Sequence, residues 1–155
     1  MAPRQYAQWV AAALDKIAPS RGPIPLEAAS KIQQLRGTIP LTGGAVFASK
    51  ESVDWTVLYD PDTSFTPSPL WRTIFIKPVQ DISEIHSLLE KVRFPLQGVG
   101  LAVASSRLPP LLDALTPLGA SRFCPIGKMQ ESPLTWHHDG RFRLLDLLRF
   151  VDYEK

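Results

Sequence analysis

A single cysteine, Cys124, stands in a chain of 155 residues, so an intramolecular disulfide and any cysteine-rich zinc site are excluded. Charge of one sign is also missing. With 17 Lys and Arg against 15 Asp and Glu, the formal net charge is +2, and no run of basic residues makes a stripe that could track phosphates. Nucleic acid is not an expected partner. Long apolar runs are absent too: Ala11 to Leu14 is ended by Asp15 and Lys16, well short of the ~20 residues that a membrane span needs. Nothing at the start reads as a signal peptide, and a reducing, cytoplasmic setting is the expectation. A dinucleotide turn needs G-x-G-x-x-G between a strand and a helix. Gly98 and Gly100 begin such a pattern, but position 103 is valine and the pair lies inside a strand-like run. Gly43-Gly44 precedes a strand, so no helix N-terminus can follow it under a pyrophosphate. There is no Walker loop, no H-E-x-x-H and no G-x-S-x-G. No cofactor site and no metal site is expected in this chain alone.

What is present is an ordinary globular composition, 45% hydrophobic and 21% charged, with 15 prolines falling at element boundaries. From Gln5 to Ile17, Tyr6, Trp9, Val10, Ala13, Leu14 and Ile17 recur at spacings of three and four, which predicts an amphipathic helix. A second helix begins near Pro25, carries Leu26, Ala29, Ile32 and Leu35, and stops at Gly37. Residues 1–37 therefore read as a helical hairpin. Strands are predicted at Ala45–Ala48, at Trp55–Tyr59 turned by Asp60-Pro61-Asp62, and at Trp71–Ile76. Asp81 or Ser83 caps a helix with Ile82, Ile85, Leu88, Leu89 and Val92 on one face. Val99–Ala104 reads as a strand buried on both faces. A helix opened by Pro109 or Pro110 and ended by Gly119 leads to a short strand at Ser121–Pro125. A loop from Gly127 to Gly140 precedes a last helix from about Leu144 to Val151. Strands alternating with helices over residues 45–155 imply crossovers and a mostly parallel sheet. The expectation is one α/β domain over residues 1–155.

Three features carry chemistry. Cys124 lies in Arg122-Phe123-Cys124-Pro125, where Arg122 would share its face of the strand. A thiolate nucleophile needs such a cation and solvent access. A small, buried apolar residue at a strand end is the plainer reading. Trp136-His137-His138-Asp139-Gly140 offers an indole wall, two imidazoles and a carboxylate that can fix an imidazole tautomer. Adjacent histidines point apart in most backbones, which disfavours a shared metal. The loop either braces the chain or lines a substrate cleft, and Trp136, His137, His138 and Asp139 are the candidate substrate-binding residues. His86, four residues after Ile82, is expected to be half-buried and structural.

Gly119-x-x-Arg122-x-x-Pro125-x-Gly127-Lys128-Met129, then Pro133, Trp136 and His137-His138-Asp139-Gly140, resembles the C-terminal part of the acyl-CoA reductases of the bacterial luminescence (LuxC) type, within the aldehyde dehydrogenase superfamily. Ser68-Pro69-Leu70-x-Arg72, Pro78-Val79 and Leu96-Gln97-Gly98-Val99-Gly100 extend the likeness, as does the opening helix followed by Gly22-Pro23. The resemblance implies part of an aldehyde-dehydrogenase-like catalytic domain. It implies reduction of a fatty acyl thioester to a fatty aldehyde, through a cysteine-linked acyl intermediate and NADPH. Two departures stand out. The family's nucleophile should lie upstream of the first helix, where this chain has no cysteine. The superfamily's glutamate should lie just ahead of the strand at 72–79, where Ser68-Pro69-Leu70-Trp71 stand.

Three readings follow from different classes. One is a reductase segment, inactive alone, acting on fatty acyl-CoA once a complementing chain supplies the nucleophile and the dinucleotide-binding half. Another is a non-catalytic α/β binding or regulatory module that associates with a full-length reductase. The third is a small-molecule-binding α/β domain with its pocket beside Trp136. A sheet cut from a larger domain also predicts self-association into a homo-oligomer.

Overall fold

The computed structural model describes residues 2–17, 22–90, 92, 96–142 and 145–154. Helices and small sheets alternate, an α/β chain, in two compact units, Met1–Gln80 and Asp81–Lys155.

In the first unit, helix α1 (Pro3–Ile17) packs on a three-stranded sheet of β1 (Ala45–Ala48), β2 (Thr56–Tyr59) and β3 (Thr73–Ile76), in the order β1-β2-β3. The first pairing is antiparallel, Ala45 opposite Tyr59, and the second parallel, Thr56 opposite Thr73. The helix is where periodicity placed it, but its buried face is not. Ala7 and Ala11 are buried against Trp55 and Val57, with Val10 and Leu14 packed alongside, while Trp9 and Ile17 are 58% and 68% exposed. The sheet already presents Trp55, Phe47 and Tyr59. Two alanines leave room for those large side chains, and an indole at the same place would not.

Helix α2 (Leu26–Thr38) starts after Pro25 and buries Ile32, but Leu26 is exposed. It runs through Gly37 into a 3-10 turn, Ile39–Thr42, and the chain leaves the helical region at Gly43, whose φ is 83°. Gly44 has its own reason: a Cβ there would sit 2.5 Å from both Ile39 Cγ2 and the Tyr59 carbonyl oxygen. The glycine pair is a backbone crossing and holds no phosphate cradle.

Side chains alternate along β2, so Thr56 and Leu58 face away from the α1 side occupied by Val57. On that second face Arg36 of α2 donates to Thr56 Oγ1 at 2.8 and 3.0 Å and to the carbonyls of Trp55 and Ser52 at 3.0 and 2.9 Å. The two helices of the expected hairpin thus lie on opposite faces of the sheet and not against each other. Burial lowers the pKa of the Arg36 guanidinium, and Asp54 acts the other way. A guanidinium stays charged regardless, so its donors strongly satisfy the oxygens at the start of a fully buried strand.

The predicted turn at Asp60-Pro61-Asp62 is present. Buried Asp60 accepts from the Asp62 amide at 3.1 Å and pairs with Lys77 at 2.5 Å. Strand β3 starts two residues later than predicted. Leu70, Trp71 and Arg72 have φ of 68°, 52° and 56°, three consecutive left-handed residues without a glycine. This is costly. It is held by Ser68, which accepts from the Leu70 amide at 3.0 Å and donates to the Thr73 carbonyl at 2.6 Å.

In the second unit, Asp81 caps α3 (Ile82–Glu90) by accepting from the Ser83 amide and hydroxyl at 2.9 and 2.8 Å. These bonds hold its carboxyl below the usual carboxylate range. Strands β4 (Gly98–Leu101) and β5 (Arg122–Pro125) pair in parallel through the crossover helix α4 (Leu108–Leu115). Leu111, Leu115 and Ala120 form the core, with Ile82, Ile85 and Leu89 of α3 packed on it. The helix-ending Gly119 is left-handed, as predicted, with φ of 94°.

Three expectations are corrected here. Strand β4 ends at Leu101, its residues are all half-buried, and Val103 is 41% exposed, so no strand buried on both faces runs to Ala104. With only two strands in its sheet, one face of it has little to bury against. Strands β3 and β4 belong to different sheets, so among the described residues the one crossover made by a helix is β4–α4–β5, while β2 and β3 are joined by a loop. The last helix is a 3-10 turn, Leu145–Leu147, among exposed residues, and residues 143 and 144 of that expectation lie outside the described residues. Without a surface to cover, an apolar periodicity cannot hold a helix.

Arg36→Met should destabilise the first unit by about 2–4 kcal/mol, because buried oxygens at the start of β2 lose their donors. Urea unfolding followed by far-UV circular dichroism checks this. A loss below about 0.5 kcal/mol, the range of a plain surface substitution, would remove Arg36 from that role.

Candidate functional site

The loop after β5 is held from its two ends, by Arg122 at its start and by Gln97, 42 positions before Asp139, at its finish. At the start of β5, Arg122 reaches back over the loop and donates to the carbonyls of Met129, Lys128 and Glu131 at 2.6, 3.1 and 2.7 Å. Its guanidinium carbon lies 5.0 Å from the centre of the Trp136 ring. The indole in turn stacks on His138, centroids 5.1 Å apart and 16° from coplanar. The result is a layered stack of guanidinium, indole and imidazole, ordered by cation–π attraction and ring stacking.

Asp139 closes the arrangement. Its φ of 52° aims the carboxylate back across the loop. Oδ1 accepts from Gln97 Nε2 at 2.5 Å, and Oδ2 lies 3.3 Å from His138 Nδ1. The Gln97 amide first, and then His138 and Arg141, hold the exposed Asp139 carboxyl below the usual carboxylate range. Facing Asp139, His138 presents Nδ1 to a fixed acceptor, which orients the imidazole as a general acid or base requires.

The four residues singled out by sequence do not act as one set. Trp136, His138 and Asp139 come together. His137 turns away and meets Phe142 edge-on, centroids 4.4 Å apart at 81°. The divergence expected of adjacent histidines is what the backbone produces. Among the described residues no group of three or more His, Cys, Asp or Glu is placed to hold a metal ion. His86 is half-buried on α3, as expected.

Cys124 is not part of this loop. It is half-buried, its Sγ lies 3.9 Å from the Val99 carbonyl oxygen, and it faces a cavity at the other end of β5. The cation expected beside it is committed to the loop carbonyls. Sequence reasoning gave Gln97 no role of its own, because it lies 42 positions before Asp139. It found Arg122 but gave it the wrong partner, because strand alternation shows which face a side chain starts from and not how far it reaches.

The residues present do not fit a dinucleotide. Gly98 and Gly100 lie within β4, and a Cβ on Gly100 would stand 2.9 Å from Met129 Sδ. The second glycine makes room for a methionine side chain, where a phosphate cradle would need open backbone amides at a helix start.

The model of the acyl-CoA reductase (LuxC) family matches residues 1–150. Long-chain acyl-protein thioester reductase 2 of Photobacterium leiognathi is 30% identical over 105 residues, which cover 68% of this chain and 21% of that protein. The chain spans about a fifth of the length of that relative.

Two outcomes test the loop. Arg122→Ala removes three charge-assisted hydrogen bonds and the cation over Trp136, and should lower stability of the second unit by about 1–3 kcal/mol. Amide exchange at residues 128–138 should quicken, and unchanged exchange would show that the loop holds itself. For Asp139, a depressed folded pKa means that its contribution is complete above the ordinary carboxylate value of about 3.9 and is lost as pH falls through the lower folded value. The Gln97 side-chain amide resonance should therefore stay constant near neutral pH and move only in acid. A shift centred above the carboxylate range would take the coupling away from Asp139.

Proposed function

Because this chain belongs to the LuxC family of acyl-CoA reductases, we propose that it is the C-terminal catalytic-domain segment of a reductase that converts fatty acyl thioesters to fatty aldehydes, and that it is inactive alone. In this reading both compact units are parts of one aldehyde-dehydrogenase-like catalytic domain with a mostly parallel sheet. The carrying observation is the family match over residues 1–150 in a chain that spans about a fifth of a thioester reductase. Two further facts support it. The one cysteine faces a strand-end cavity with no cation committed to it, whereas a thiolate nucleophile needs one or a helix N-terminus. The one glycine pair that begins a dinucleotide pattern is used for side-chain packing.

The nucleophilic cysteine and the NADPH-binding residues therefore belong to sequence outside these 155 residues, on the same polypeptide or on a complementing chain. The role left to this segment is to build one wall of the active-site cleft. A cytoplasmic setting belongs to this reading, and no described helix is long and apolar enough to cross a membrane.

The purified 155-residue chain, given myristoyl-CoA and NADPH, should oxidise no NADPH above background, since loss of a nucleophile costs on the order of 10⁶-fold in rate. Adding the cysteine-bearing half of a family member should restore aldehyde formation. Turnover by the chain alone that survives Cys124→Ala would sink the incomplete-segment reading. Turnover lost in that variant would make Cys124 the nucleophile.

A further inference from the structure

The parallel pair β4–β5 has two ends of different character. At the amino end sit Gln97, Arg122 and the loop they hold. At the carboxyl end lies a cavity of about 530 Å³, within the roughly 300–1,000 Å³ usual for small-molecule sites. It opens between the ends of the two strands and the start of the crossover helix α4. This is the carboxyl end of parallel strands, the end at which α/β sheets carry their ligands.

The lining decides what can enter. Leu101, Leu108, Leu112 and Phe123 form the walls, all half-buried, and among the described residues no charged side chain lines the space. Polar groups are limited to the Ser105 hydroxyl at the entrance to α4 and the Cys124 thiol. A nucleotide or a sugar would leave most of its polar atoms unpaired against such walls, at a high desolvation cost. A hydrocarbon chain leaves none. A second cavity of about 470 Å³, lined by apolar residues of α3, β4 and α4 and by Arg107, shares Leu101, Ala102 and Val103 with the first.

We propose that this cavity is the seat of the hydrocarbon chain of a fatty acyl group, with the polar end of the ligand kept outside and Cys124 in the wall beside the chain. The identity of the occupant as an acyl substrate rests on the reductase reading above. The preference for a long apolar chain rests on the cavity alone. Each methylene added to the ligand should tighten binding roughly fourfold until the space is full.

Cys124 makes the test direct, because alkylation of the whole chain reports a single site. The 155-residue chain is treated with iodoacetamide, with and without myristate or octanoate, and the alkylated fraction is followed by intact mass. Myristate at ten times its dissociation constant should slow alkylation about tenfold, and octanoate at the same concentration much less. Ala102→Trp, placed at the exposed edge of the cavity, should abolish the protection while the circular dichroism melt is kept. Methyl resonances of Leu101, Leu108 and Leu112 in the unaltered chain should move on adding myristate, a readout that needs no variant. Absence of protection at the highest soluble myristate concentration overturns the proposal. So does protection retained in Ala102→Trp, or methyl shifts elsewhere only. Myristate protection in a chain that yields no aldehyde after complementation would keep the cavity and discard the reductase reading. Aldehyde formation without protection would do the reverse.

Discussion

The second unit depends on one pairing. Strands β4 and β5 run parallel with Gly98 opposite Arg122, and a parallel pair cannot be closed by a tight turn. The chain has to cross over through α4, which buries Leu111 and Leu115 in the core. The same register puts Gln97 and Arg122 side by side, and the Gln97 carbonyl accepts from the amides of both Ser121 and Arg122 at 3.1 and 3.2 Å. From that one edge, two side chains reach up to opposite parts of the loop. The cavity opens at the other end of the pair, beside Leu101 and Pro125. A shift of register by one residue would turn Arg122 to the other face and dismantle both.

The first unit is organised around a different constraint, the satisfaction of a buried polar start. Strand β2 is fully buried at Thr56, Val57 and Leu58, and its entry has oxygens that need donors. Arg36 supplies them from a helix, using the planar fork that a lysine could not reproduce. On the opposite face the demand is spatial, and Ala7 and Ala11 meet it by being small.

Element identity was legible locally. Pro25 before α2, the Asp81 cap of α3 and the left-handed Gly119 after α4 are signals that act within a turn of where they stand. So was the divergence of His137 and His138. Faces were less legible. The apolar rows Trp9-Ala13-Ile17 and Ala7-Ala11-Leu14 of α1 satisfy the same period, and only the shape of the sheet surface selects between them. The late start of β3 was hidden as well, because three left-handed residues in Leu70-Trp71-Arg72 contradict their own preferences and are held by Ser68.

The sequence by itself determined the family, the α/β class and the residues of the loop worth watching, since each follows from residue type and spacing along the chain. The tertiary structure alone decided that Asp139 is held by Gln97, that Arg122 serves the loop and not Cys124, and that Cys124 faces an apolar cavity. Those contacts join positions up to 42 residues apart through a parallel strand pairing, and neither hydrophobic period nor motif spacing encodes the register that brings them together.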